Sequence, residues 1–197
     1  MSSLTYDESY FHGNDEAGYS NYRRNLWPED GFSSFVDRAR TLVEKMADRG
    51  ASIEQRTVLV LGCAFGYSVE YLVSMGVDAY GMDISAYAIS QAPASIASRL
   101  MVGDARVRGD LNSARGMAGL RGQNRYDLIV SEDLLPCFTD ADAVAAATEW
   151  RRHAMRSLHR ISIGDYGGGY TLHTLAEWRA LLGSQDWIVN YTTWEEG

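Results

Sequence analysis

Thr57-Val58-Leu59-Val60-Leu61-Gly62-Cys63-Ala64-Phe65-Gly66 is the stretch on which the reading of this chain turns. Its first half is an unbroken β-branched and leucine run, the pattern of a strand buried on both faces, and its second half places glycines where a strand must turn into a helix. Such strands occur in parallel sheets covered by helices, so the flanking sequence should alternate between the two.

It does. A helix is predicted from Ser68 to Met75, stopped by Gly76, then a strand from Val77 to Met82 leading to Asp83, and a short helix capped by Ser85 and limited by Pro93. A third strand, Arg99 to Val102, ends at Gly103-Asp104. A fourth, Tyr126 to Ser131, leads to Glu132-Asp133. Between these two, residues 105–125 hold four glycines and five arginines with weak periodicity, which predicts a loop with at most one helical turn. A helix from Asp140 to His153, a strand from Leu158 to Ile163, the Gly167-Gly168-Gly169 loop, a helix opened by the Thr174/Glu177 capping box and ended by Gly183, and a strand from Asp186 to Trp194 complete the order.

Upstream, Phe35, Val36, Ala39, Leu42, Val43 and Met46 repeat at helical spacing, predicting a helix over Ser33 to Arg49. Residues 1–30 are rich in tyrosine and other aromatics without periodicity, and read as an ordered, mostly irregular cap. The fold class is therefore α/β: a Rossmann-like, mostly parallel twisted sheet with right-handed crossovers, helices on both faces and an aromatic N-terminal cap. Residues 1–32 form the cap segment and 33–197 the domain.

At 197 residues, 46% hydrophobic and 22% charged, the chain suits one globular domain. Its 26 acidic and 18 basic side chains give a net charge of −8, which argues against general nucleic-acid coating. Arg151, Arg152, Arg156 and Arg160, with His153 and His159, form the one basic cluster, read as a solvated helix end. Cys63 and Cys137 form no CxxC and no metal-type cluster, so no metal and no disulfide framework are expected. The opening MSSLTYDESYFHG lacks the pattern of a signal peptide, and no run is long and apolar enough to span a bilayer, so the expectation is a soluble cytoplasmic protein without membrane association.

In a sheet of this kind, ligands bind beyond the carboxyl ends of the strands, beside the topological switch point. Gly62-x-x-x-Gly66 feeds a helix N-terminus there, where free N–H groups can bind polar atoms. Asp83 follows Gly62 by 21 residues, close to the offset at which an acid accepts from ribose hydroxyls. A dinucleotide fingerprint would need glycine at 64 and 67, where Ala64 and Tyr67 stand, and no Walker-type GKS or GKT occurs.

Through VLVLGCAFG, GMDIS, GDA and YDLIVSE, the chain resembles the class I S-adenosylmethionine-dependent methyltransferases over residues 57–138, and in order of elements beyond them. That resemblance implies S-adenosyl-L-methionine (SAM) as cofactor. It implies that Gly62, Cys63, Ala64 and Gly66 pass beneath its methionine part, Asp83 holds both ribose hydroxyls, Asp104 accepts from the adenine amino group, Ile84 and Ala105 pack on the ring, and Glu132 lies near the methionine end. Two departures from the family pattern are Val60, where an acid is usual, and Ala64, where a second glycine is usual.

Glu132, Asp133 and His173 are the candidate bases for an acceptor that must lose a proton. Tyr10, Tyr19 and Tyr22 are the cap aromatics expected to wall the acceptor. Pro136-Cys137 is similar to the pair that cytosine C5 methyltransferases use, but without its usual surroundings Cys137 reads as a buried structural thiol. An acidic, compact chain without a nucleic-acid-reading module predicts a small-molecule acceptor. Methylation of nucleic acid or protein is the second enzymatic reading, and a noncatalytic SAM-binding subunit the alternative of another class.

Overall fold

The structure, a computed structural model, describes residues 6–12, 39, 41, 56–120, 125–161, 171, 173–183 and the backbone of 187–190. Six strands form one sheet: β1 (Thr57–Leu61), β2 (Asp78–Asp83), β3 (Leu100–Val102), β4 (Tyr126–Glu132), β5 (Ala154–Ile161) and β6 (Trp187–Asn190). Their order is β3-β2-β1-β4-β5-β6 and every pairing is parallel. The chain works outward from β1 through β2 to β3, then crosses back to place β4 on the other side of β1. That reversal puts the switch point between β1 and β4.

The helices are α1 (Glu8–His12), α2 (Tyr67–Ser74), α3 (Ala86–Ser90), α4 (Arg108–Met117), α5 (Asp140–His153) and α6 (Leu175–Leu182). Alternation along β1 and β4 builds two cores. Leu59, Leu61 and Ile129 join Leu111 of α4, Trp150 of α5 and Trp178 of α6 on one face, while Val58, Val60, Leu128 and Val130 join Val69 and Leu72 of α2 on the other. Both faces are therefore covered by helices, as the continuous apolar strands require. At the amino ends of the central pair, Asp127 accepts from Arg56 Nη1 (2.7 Å) and from the Thr57 N–H (2.8 Å).

The caps follow local chemistry. Ser85 accepts from the Ala88 N–H at the start of α3, Thr139 from the Asp142 N–H at α5, and Thr174 with Glu177 makes the reciprocal capping box of α6. Two expectations are corrected. Residues 105–125 are not mainly loop: α4 runs for ten residues because Leu111 and Ala114, three apart, are both buried against the sheet, while Gly109 and Gly116 lie on its exposed side. The strand placed at Leu158–Ile163 begins at Ala154, immediately after α5, since parallel pairing with β4 starts at Tyr126 opposite Ala154. Within the N-terminal stretch, read as mostly irregular, Glu8–His12 form α1.

Of the helix expected over residues 33–49, Ala39 and Thr41 are described, and both are helical. The rest of it, the cap boundary at 32/33, Tyr19, Tyr22 and the Gly167–Gly169 loop lie outside the described residues.

Candidate active site

At the carboxyl end of β1 the chain makes a tight turn in which Gly62, Ala64 and Gly66 all have positive φ (68°, 47° and 80°). Gly66 opens α2 at φ 80°, and an added Cβ would lie 2.7 Å from Leu100 Cδ1 and 2.8 Å from Ile96 Cδ1, so that these core side chains would have to shift. The turn is pinned to β2 by the Gly62 N–H, which donates to the Met82 carbonyl (2.9 Å).

Asp83, ending β2, faces this turn. Its Oδ2 accepts from the Ala64 N–H and its Oδ1 from the Ser85 N–H, each at 2.8 Å. Each carboxylate oxygen thus retains acceptor capacity for a second donor. Burial raises the Asp83 pKa above the ordinary aspartate value, while the N–H groups of Ser85 and Ala64 act in the opposite sense.

Beside Asp83 lies an apolar corner. Val102 is the register partner of Asp83 in β3, and Ile84, Val102 and Val107 are 48%, 48% and 46% exposed. They are three of the five large apolar side chains left exposed among the described residues. Ala105 is buried beside this corner, at 7% exposure. Asp104 is chelated by Arg106 through Nε and Nη2, the latter at 2.6 Å, and this pairing lowers its pKa. The loop is also closed by Asp110, whose Oδ2 accepts from the Asp104 N–H (2.8 Å).

At the end of β4 the three candidate bases separate. Glu132 is paired with Arg160, directly opposite it on β5, and both side chains are largely withdrawn from solvent. That pairing takes Glu132 away from the role of a free base. Asp133 has φ 47° and donates its N–H to the Arg160 carbonyl, so this residue shapes the turn. His173 remains partly exposed, with Nε2 2.8 Å from Asp140 Oδ1 and its ring edge-on to Trp178.

Tyr10 is 7% exposed and packs edge-on against Tyr6 and Phe11, so it fastens α1 down instead of lining open space. Phe11 meets Phe65 of the glycine turn at 5.0 Å. The residue that sequence reasoning missed is Tyr6: its carbonyl accepts from Ser85 Oγ, and its hydroxyl hydrogen-bonds the Cys137 thiol beyond β4. It spans the switch point. Burial pushes Cys137 up to about 11, so the thiol stays protonated and unsuited to nucleophilic attack, as the structural reading expected.

The basic cluster does not form one solvated patch. His159 and Arg160 are buried in β5 and His153 is buried at the end of α5, whereas Arg152 pairs with Glu149 and Arg151 donates to the Leu182 carbonyl. The last third of the cluster, His159 and Arg160, lies in a strand buried on both faces instead of on a helix end. Among the described residues no group of His, Cys, Asp and Glu could hold a metal ion, and no helix is long and apolar enough to cross a membrane.

Residues 58–156, half of the chain, match the family model described as a methyltransferase domain. The chain belongs to the class I S-adenosylmethionine-dependent methyltransferases. Membership makes it an enzyme of SAM-dependent methyl transfer. Solved structures of like fold include magnesium protoporphyrin IX methyltransferase from Synechocystis PCC 6803 with bound SAM, which is 19% identical over 81% of this chain and 72% of that one, with a TM-score of 0.55. The same enzyme with bound SAH gives 18%, 81%, 76% and 0.56. A structure from work on the conversion of a disulfide bond into a thioacetal group during echinomycin biosynthesis is 25% identical over 59% of this chain, with a TM-score of 0.42, and the chain spans 45% of its length. No curated protein sequence matches the chain.

Proposed function

We propose that this chain transfers a methyl group from SAM to a small molecule in the crevice between the glycine turn, Asp83 and the segment after β4. The observation that carries the cofactor assignment is the Asp83 carboxylate at the carboxyl end of β2, fixed by two backbone N–H groups and still able to accept from two more donors. A vicinal pair of ribose hydroxyls suits that capacity. The exposed corner of Ile84, Val102 and Val107 suits a flat purine, with Asp104 at its edge to accept from an amino group.

When bound, SAM supplies a methyl group on an electron-poor sulfonium. The chain must align the acceptor with it, exclude water and, for a hydroxyl or ammonium acceptor, remove a proton. Tyr6 and α1, packed over the glycine turn, suit the exclusion of water. His173 suits proton removal better than Glu132 or Asp133, because its ring is partly exposed and oriented by Asp140 while Glu132 is held by Arg160. The packing of α1 against the glycine turn and the acidic balance of the chain favour a small acceptor over a nucleic acid or a folded protein.

The test is incubation with methyl-labelled SAM and fractionated cell extract. Label is expected in the small-molecule fraction, and label confined to nucleic acid or protein overturns the acceptor class. With an acceptor in hand, His173→Gln should lower turnover by roughly 100-fold or more with cofactor affinity unchanged. Full turnover would remove His173 as the base.

A further inference from the structure

Trp150 lies on α5, outside the crevice, and is fully buried. Its indole N–H donates to the carbonyl of Ala105, 45 positions earlier in the chain, at 2.7 Å. Ala105 follows Asp104, so this bond grips the loop that carries the proposed adenine acceptor. The same indole reaches that loop by a second route: Phe138 packs against Trp150 at 6.4 Å, the Arg106 guanidinium lies 5.3 Å over the Phe138 ring, and Arg106 chelates Asp104. A closed circuit of Trp150, Ala105, Asp104, Arg106 and Phe138 results.

Trp150 also packs against His159, with ring centroids 5.3 Å apart and planes tilted by 40°, and His159 Nδ1 shares a 2.8 Å hydrogen bond with Ser131 Oγ, one residue before Glu132. The indole is therefore held between two strand ends on different sides of the switch point. Its orientation has little freedom, and a fixed donor fixes its acceptor.

We propose that Trp150 is a positioning residue for nucleobase recognition: it holds the Asp104–Arg106 loop so that the Asp104 carboxylate meets the amino group of the adenine. This rests on the reading of Asp104 given above. The buried N–H matters here more than the bulk of the ring, because without it the Ala105 carbonyl loses the partner that pulls the loop inward.

The test measures binding of S-adenosylhomocysteine and of S-inosylhomocysteine, which carries an oxo group in place of the amino group, to the full chain and to Trp150→Phe. The wild type should prefer the adenosyl ligand. Trp150→Phe should weaken that ligand by about tenfold and leave the inosyl ligand unchanged, so that the preference disappears. Equal losses for both ligands would make Trp150 a packing residue alone, and no loss for either would do the same; both outcomes overturn the inference. A wild type without any preference overturns the Asp104 reading itself. Should Trp150→Phe fail to fold, benzothienylalanine at this position keeps the shape and aromatic area while removing only the N–H, and the same pattern is expected.

Discussion

Ala64 stands in the left-handed region at φ 47°, where a Cβ is crowded by its own carbonyl. Ala64→Gly should relieve that strain by about 1 kcal/mol, offset in part by the greater freedom of glycine in the unfolded chain, so chemical denaturation should show a small net gain. Gly66→Ala, at φ 80° with Leu100 and Ile96 in the way, should lose about 2 kcal/mol or more by the same measurement. A loss from Ala64→Gly would mean that the turn is not strained. Asp83 supplies a pH test. Its raised pKa means that the ligand-free fold is favoured by the neutral acid; that contribution is complete below the unfolded aspartate pKa and disappears as pH rises through the folded value. Ribose hydroxyls favour the anion, so calorimetric affinity for S-adenosylhomocysteine should fall as pH is lowered into the range just above that of an ordinary aspartate, and Asp83→Asn should bind weakly without this dependence. An equal dependence in the variant would move the titrating group elsewhere. Asp83 and the two glycines were legible because strand, turn and acid lie within one short βαβ unit. Tyr6 was not, since it meets Ser85 across 79 positions of chain and no periodicity announces it.

Among the elements, β4 and β5 share the buried pair of Glu132 and Arg160, which face each other in register. Breaking such a pair from one side leaves an uncompensated charge, so Arg160→Met should lower stability by about 3 kcal/mol, and adding Glu132→Gln should restore part of it. Urea melting of the two variants checks this, and purely additive losses would show that the pair is not coupled. The strands of the central sheet were readable from their apolar runs. β5 was only half readable, because Arg156, Ser157, His159 and Arg160 disguise it, although the last three are buried and have partners that no local pattern reveals. In α4 the glycines misled for a different reason: packing of Leu111 and Ala114 outweighs helix propensity on the exposed side.

For the molecule as a whole, the proposed enclosure of the site depends on α1 and Tyr6, while the cofactor groups Asp83 and Asp104 belong to the sheet. Deleting residues 1–12 should therefore reduce methyl transfer by more than about tenfold and leave S-adenosylhomocysteine binding measurable. Circular dichroism and thermal melting must accompany the assay, because Phe65 and Ala88 lose apolar cover. Unchanged turnover would assign the segment a structural role only. The strand order has a consequence of another kind. β1 lies at the centre of the sheet, yet one of its neighbours is β4, and the Thr57–Asp127 bond that fastens them joins residues 70 positions apart. While the chain leaves the ribosome, β1, β2 and β3 can assemble early, but β1 keeps an unpaired edge and a bare flank until β4 has been made. Nascent chains stalled before residue 125 are thus the species most exposed to chaperone capture and edge-to-edge association, and the slowest native event is the closure of that long crossover.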